Sequence, residues 1–260
     1  MSILYTFFGV IFTLGFLLFS FFFVTTRGSL IFTSFFPARV SVSSRHVYWI
    51  YRNRFLVWLT DRKLIVSAVL LFQYDRLVTA LVTQLDSLQF QKGELIQLGA
   101  VSGDLSERVA KRCCYKTQLS ILELTCTGIR HTMKKLDRAR IHKVQFIRAN
   151  ANAVPLRDGS VDGVFSFFLF HELPTKQKRN VFFESLRVVR HGGQFVFVEF
   201  HRPRSFLLRL LGTTIFGLFE PHAKEMWHWD PLQELDGQSF SMTRTLHFGG
   251  YFQVVRIDKH

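Results

Sequence analysis

Cysteine and proline are scarce in this chain, and acid is outnumbered by base. The three cysteines, Cys113, Cys114 and Cys126, have no metal-ligand spacing, which argues against a thiolate-held metal centre. They are expected as reduced, buried thiols on the reducing side of a membrane, with Cys113 and Cys114 on a helix. Six prolines in 260 residues leave no Pro-rich hinge, and no internal repeat or low-complexity linker divides the chain. Asp and Glu number 19 against 33 Lys and Arg, a formal net charge of +14. The basic residues are dispersed and form no RNP, zinc-finger or basic-zipper pattern, so nucleic acid is not an expected partner. Attraction to the anionic headgroups of a lipid bilayer accounts for the charge with fewer assumptions.

What the chain has in quantity is apolar surface. Hydrophobic residues make up 48% of it and 30 residues are Phe, more than a single soluble core usually needs. Much of the excess lies in Ile3 to Val24, which contains no charged residue. As a helix it would rise roughly 33 Å, enough to cross a hydrocarbon core of about 30 Å. Residues 1–27 therefore read as a transmembrane anchor. A cleaved signal peptide is the alternative, but no basic region precedes the run and no A-x-A site follows it; a mitochondrial transit peptide would be less apolar and richer in Arg. Arg27, Arg39, Arg45, Arg52 and Arg54 all precede the first acid, Asp61. By the positive-inside tendency this leaves the main domain on the matrix or cytoplasmic side of a mitochondrial inner or bacterial cytoplasmic membrane.

Residues 28–92 form a lead-in. His46 to Trp58 mixes Tyr, Trp and Arg as an interfacial helix does, and Leu64 to Phe72 adds a nine-residue apolar run too short to span. Periodicity does not separate a lipid-facing stripe from a core-facing one, so both readings stay open for these segments.

From Gly93 the chain alternates strands and helices. Strands are expected at 94–98, 119–124, 144–147, 161–168 and 194–200, with helices from Asp104 or Leu105 to Cys114, at 127–136 and at 175–189. That alternation predicts an α/β domain over 93–260, doubly wound around a mostly parallel sheet. Ligands of such sheets bind at the carboxyl ends of the strands. The first turn, LGAVSGDL, keeps Gly99 and Gly103, which lets the backbone approach a ligand closely. Glu123, twenty residues beyond Gly103 at the end of the second strand, is placed to accept both hydroxyls of a ribose.

Gly99 to Gly103, Glu123, AVPLRDGSVD, FFLFHELP and RVVRHGG together resemble the class I S-adenosylmethionine-dependent methyltransferases that complete ubiquinone and menaquinone (UbiE-like, methyltransferase type 11), with their Rossmann-type fold. Within that resemblance, FFLFHE, EFHRP, LFEPHAKEMW, HFGGYFQVV and the upstream YWIYRNRFLVWLTDRKLIVSAVLLFQYDRL are similar to the RquA-like rhodoquinone-biosynthesis family. The resemblance implies S-adenosylmethionine held by Gly99, Gly103, Asp104, Glu123, Asn150 and Ala151. It also implies Mn2+, for which Asp104, Glu123 and Glu172 are the acidic candidates, and replacement of a ubiquinone methoxy group by an amino group from the cofactor. A methoxy-bearing quinone carbon is a vinylogous ester, open to amine addition and methanol loss. Methylation of a prenylated quinol and a non-catalytic membrane assembly factor are the alternatives. Three departures bear on the choice: Val101 replaces a glycine of the turn, Gln97 replaces an acid usually placed near the methionine ammonium, and Asn150 stands where an Asp is common.

Catalytic candidates cluster at two strand ends. His171 would be a base or ligand oriented by Glu172, or else a helix cap followed by a first-turn acid. Glu199, His201 and Arg202 form a second polar set, in which Arg202 is able to pair with Glu199. Farther on, the apolar segment Phe206 to Phe219 either lines a channel for an isoprenoid tail or packs on the core. Glu220, His222, Glu225 and His228 lie close enough in sequence to hold a metal or a quinone head.

Overall fold

In the computed structural model, residues 54–86, 93–100, 102–113, 117–219, 222–235 and 239–260 are described, with five scattered positions in the first twenty. The expected anchor, most of the segment from His46 to Trp58, Val101, Cys114 and Glu220 lie outside the described residues. Among those described, no single helix is long and apolar enough to cross a membrane.

The lead-in supplies α1 (Arg54–Thr60), α2 (Lys63–Val69) and α3 (Tyr74–Asp86). The apolar run from Leu64 to Phe72 is not one helix: Leu71 and Phe72 have φ of 51° and 58°, a left-handed turn that ends α2 and redirects the chain into α3. Leu70 is buried while Leu64 and Phe72 are exposed, so the run packs on the core only in part. The third helix, α3, was not among the expected elements. It buries Tyr74, Leu77, Leu81 and Leu85, a 3-4-4 spacing with Val78 beside it, which turns one stripe towards the sheet.

The sheet has seven strands in the order β3-β2-β1-β4-β5-β7-β6. They are β1 (Gly93–Leu98), β2 (Thr117–Glu123), β3 (Val144–Arg148), β4 (Val161–Phe167), β5 (Val189–Phe200), β6 (Phe240–His247) and β7 (Phe252–Lys259), with α4 (Leu105–Arg112), α5 (Cys126–Arg138), α6 (Thr175–Val188) and α7 (Phe206–Phe219) between them. β1 to β5 pair in parallel, with Leu98 beside Leu122 on one side and Ser166 on the other. The last two strands are antiparallel, Glu199 opposite Gln253 and Leu246 opposite Gln253 on the far side, where strand–helix alternation had been expected to continue to the end. Only a short turn joins β6 to β7, so no crossover helix is available to make them parallel.

Expected and observed boundaries agree within about two residues except at β5, which begins at Val189. Gly192 and Gly193 sit inside a register irregularity that sets Val161 opposite Val189 but Gly163 opposite Gln194. Every residue of β5 from Gly193 to Phe200 is buried, as befits a central strand covered on both faces. Phe165, Phe195, Phe197 and Phe182 are fully enclosed there.

Candidate functional site

The switch in strand order lies between β1 and β4, so the crevice opens beside the turn after β1. Gly99 has φ +81°, and its carbonyl accepts from Gln97 Nε2 at 2.9 Å. Glu123, at the end of β2, accepts from the Ala100 N–H at 2.8 Å and from the Thr125 N–H and hydroxyl at 2.7 and 2.6 Å. The predicted turn and the predicted acid are thus in direct contact. Gln97 is fully buried, and its Oε1 has no hydrogen-bond partner, an acceptor left for a ligand donor.

Gly103 is held more firmly than its sequence position suggests. Its N–H donates to Asp61 Oδ1 at 2.9 Å and its carbonyl accepts from Lys135 Nζ at 2.7 Å. Lys135 also reaches Asp61 at 2.7 Å, and His131 Nε2 lies 2.9 Å from the other Asp61 oxygen. Asp104 is taken up locally: its N–H donates to the Tyr74 hydroxyl at 2.7 Å, which donates back to its carboxylate at 3.0 Å, and Arg108 grips it at 2.9 Å. Burial, reinforced by the Asp104 charge, pushes the Tyr74 phenol far above its usual range and keeps it protonated. Asn150 Oδ1 accepts from the N–H and side-chain amide of Asn152, both at 3.0 Å, forming an Asx turn in which Ala151 packs partly against the core. The AVPLRDGS loop is pinned by Arg187, which donates to the carbonyls of Val154 and Leu156, both at 2.9 Å.

At the other side of the crevice, Phe170, His171 and Glu172 form one 3-10 turn rather than the end of a strand. Glu199 is fully buried at the neighbouring strand end and accepts the N–H groups of Phe170, His171 and Phe200 at 2.7, 3.2 and 3.1 Å. His171 Nδ1 lies 3.3 Å from the same carboxylate. Glu199 is thus a carboxylate partner of His171 that the sequence did not suggest, because the ends of adjacent parallel strands bring together residues 28 apart. Glu199 does not pair with Arg202, which is exposed. His201 turns away from this pair to Gly250, Nδ1 to carbonyl 2.9 Å, fastening the end of β5 to the β6–β7 turn. Aromatic rings surround the dyad, with Phe168 and Phe200 at 5.9 and 5.1 Å from the His171 ring.

Residues 96–193 match the sequence profile of the methyltransferase domain family. An S-adenosylmethionine-dependent methyltransferase from Aquifex aeolicus superposes with a TM-score of 0.51 at 15% identity, over 79% of this chain and 97% of that one. The PH0226 protein of Pyrococcus horikoshii gives a TM-score of 0.55 at 17% identity, over 72% and 92%. The fold is that of the class I S-adenosylmethionine-dependent methyltransferases. Among curated sequences, an uncharacterized methyltransferase of Synechocystis is 27% identical over 69% of this chain and 90% of its own length. The ubiquinone/menaquinone biosynthesis C-methyltransferase UbiE of Blochmanniella floridana is 31% identical over 45% of the chain, a match spanning about half (46%) of that enzyme.

The domain does not assemble the expected metal set. Among the described residues no three His, Cys, Asp or Glu are grouped to hold an ion; Asp104 is neutralised by Arg108, and Glu123 is turned to backbone and Thr125. Manganese therefore does not fit these residues. The set near His222 is also an ion-pair cluster: Glu225 accepts from His222 Nδ1 at 2.9 Å, from the buried Lys178 at 2.8 Å and from Thr175 at 2.7 Å. Burial opposes its charge, but these bonds outweigh it and hold the carboxyl at about 2. Cys126 is exposed at the start of α5 and Cys113 only partly buried, against the expectation of buried thiols; helix α4 ends before Cys113. Sequence reasoning missed Asp61, Tyr74, Lys135 and Lys178. Only Asp61 carried a signal, as the first acid after a long basic stretch, and nothing in that signal names its partners.

Proposed function

We propose that this protein is a membrane-bound S-adenosylmethionine-dependent transferase acting on a prenylated quinone or quinol. The observation that carries the reading is the contact between Glu123 and the Gly99–Ala100 turn, beside the partnerless buried Oε1 of Gln97. Glu123 would exchange its bonds to Thr125 for the cofactor's ribose hydroxyls, Gln97 Oε1 would accept from its ammonium, and the Asn150–Ala151 turn would border its adenine. When bound, the cofactor supplies an electrophilic carbon on its sulfonium.

The remaining work falls to the chain's own groups. Glu199 fixes the His171 imidazole through Nδ1, so that Nε2 becomes the nitrogen that exchanges a proton with the ring substrate. Phe168 and Phe200 exclude water around it, and positioning within that apolar wall supplies much of the rate. The kinship with UbiE, a C-methyltransferase by name, favours methyl transfer. Amino substitution to a rhodoquinone is the second reading, favoured by Gln97 in place of the acid and by the RquA-like motifs. Residues 1–27 would anchor the chain, with the domain on the matrix side of a mitochondrial inner membrane or the cytoplasmic side of a bacterial one. The aromatic wall around His171 suits a quinone and speaks against a purely non-catalytic assembly factor.

The test is mass spectrometry of quinones extracted from a ubiquinone-producing host expressing the chain. A new methylated quinone that vanishes with Glu123→Ala and His171→Gln is the expected result, and an amino-substituted quinone would select the second reading. Absence of any new quinone, together with no S-adenosylmethionine-dependent rise in melting temperature, would overturn both.

A further inference from the structure

The helix α7 is built as if one of its faces had no protein partner. Its inner side is tightly seated: a side chain added at Gly212 would fall 2.7 Å from the Trp227 ring and 3.0 Å from Tyr251, and Phe216 is buried against both rings. The outer side leaves Phe206, Leu207 and Leu210 exposed at 68%, 72% and 55%. The β6–β7 turn continues the patch, since Gly249 packs within 3.1 Å of Leu208 for an added Cβ and carries exposed Leu246 and Phe248 beside it. Phe248 has φ 49°, a left-handed conformation costly for an aromatic residue and typical of functional positions.

Charge indicates what covers this face. From His201 to Phe219 there are three arginines, Arg202, Arg204 and Arg209, and no acid. None of the three is paired with a carboxylate among the described residues, and Arg209 Nε is buried without a partner. Between Phe240 and Tyr251 no acid occurs either. An apolar face rimmed by unneutralised arginines matches the headgroup and acyl boundary of an anionic bilayer. The patch also leads inward: ring centroids step from Phe248 to Phe252 at 6.3 Å, to Phe168 at 5.8 Å and to His171 at 5.9 Å.

We infer that α7 and the β6–β7 turn dock the domain onto an anionic lipid surface, independently of the N-terminal segment, with the carboxyl edge of the sheet towards the membrane. A lipid-soluble substrate would then meet the crevice that holds His171 from the bilayer side. Only the nature of that substrate rests on the function proposed above; the docking does not.

The experiment uses the full chain in lipid nanodiscs at one copy per disc, with Cys113, Cys114 and Cys126 replaced by Ser. A solvatochromic dye is placed at Leu210→Cys, or at Lys134→Cys on exposed α5 as a control. In discs of phosphatidylcholine with phosphatidylglycerol the dye at 210 should shift to the blue, and in phosphatidylcholine alone much less, while the dye at 134 stays unchanged. Arg202→Glu with Arg204→Glu should lower the docked fraction on the order of tenfold. Equal emission at 210 and 134 in the anionic discs would overturn the proposal. So would an equal blue shift in both lipids, which would mean that the face is covered by the chain's own N-terminal segment; a shift appearing only at two copies per disc would assign it to a second copy. Because dye emission needs no turnover, a failure of the quinone chemistry leaves this readout intact.

Discussion

The two halves of the sheet are held together by different physics. On the β1–β2–β3 side the crevice is lined by polar contacts drawn from distant parts of the chain: Asp61 and Lys135 on both peptide groups of Gly103, Tyr74 on Asp104, Glu123 on Ala100. On the β4–β5–β7 side it is lined by packed rings, with a single buried carboxylate, Glu199, gathering three N–H groups. The difference fits the two parts of the proposed reaction, a polar nucleoside on one side and an apolar ring on the other.

The comparison is broken most severely at Gly103. Its φ is +83° and an added Cβ would stand 2.3 Å from the Tyr74 hydroxyl, so Gly103→Ala is expected to cost about 3 kcal/mol or more. Calorimetric unfolding should show it, with cofactor binding lost. On the other side Lys178 is buried, with its amine lowered by burial against the opposing pull of Glu225. Removing the carboxylate strands that cation. Glu225→Ala should destabilise by about 2 kcal/mol, less than for a fully enclosed pair because Glu225 is partly exposed, as urea titration would report.

A smaller effect is expected at the clasp. Asp61→Asn keeps its shape but weakens the grip on Gly103, and S-adenosylmethionine affinity by calorimetric titration should fall about tenfold. The melting temperature should move less than in Gly103→Ala. The smallest effect is in acid. Glu225 titrates at about 2 in the fold against 4.5 unfolded, so its contribution is complete above pH 4.5 and drains away as pH falls towards 2. The stability of Glu225→Gln should be flatter than that of the unsubstituted protein over that window.

How much of this was legible in advance follows the same division. β1, β2, β4 and the buried half of β5 are short stretches rich in Leu, Ile, Val and Phe, and that enrichment states them plainly. Glu123 was legible because its spacing from the glycine turn is set by one strand–helix–strand unit. The Asp61 clasp was not, since its bonds to Gly103 and Lys135 close loops of 42 and 74 residues. Glu199 went unrecognised as a partner of His171 because sequence favours the adjacent Glu172, whereas a parallel sheet sets the ends of neighbouring strands side by side. The antiparallel β6–β7 pair was hidden for a related reason: the burial of β6 alternates imperfectly, as on an edge strand with one solvated face.

Glu199 has one more consequence, for motion. By taking the N–H groups that follow β4 and the one that ends β5, it splices the exits of two strands into a single rigid lip. That lip is fixed by a fully buried carboxylate, whereas the opposite bank is fastened to the glycine turn by Asp61 and Lys135, whose side chains keep 15% of their surface exposed, so the crevice should loosen there first. Amide exchange should map the asymmetry directly, slow at Phe170, His171 and Phe200 and faster at Gly103.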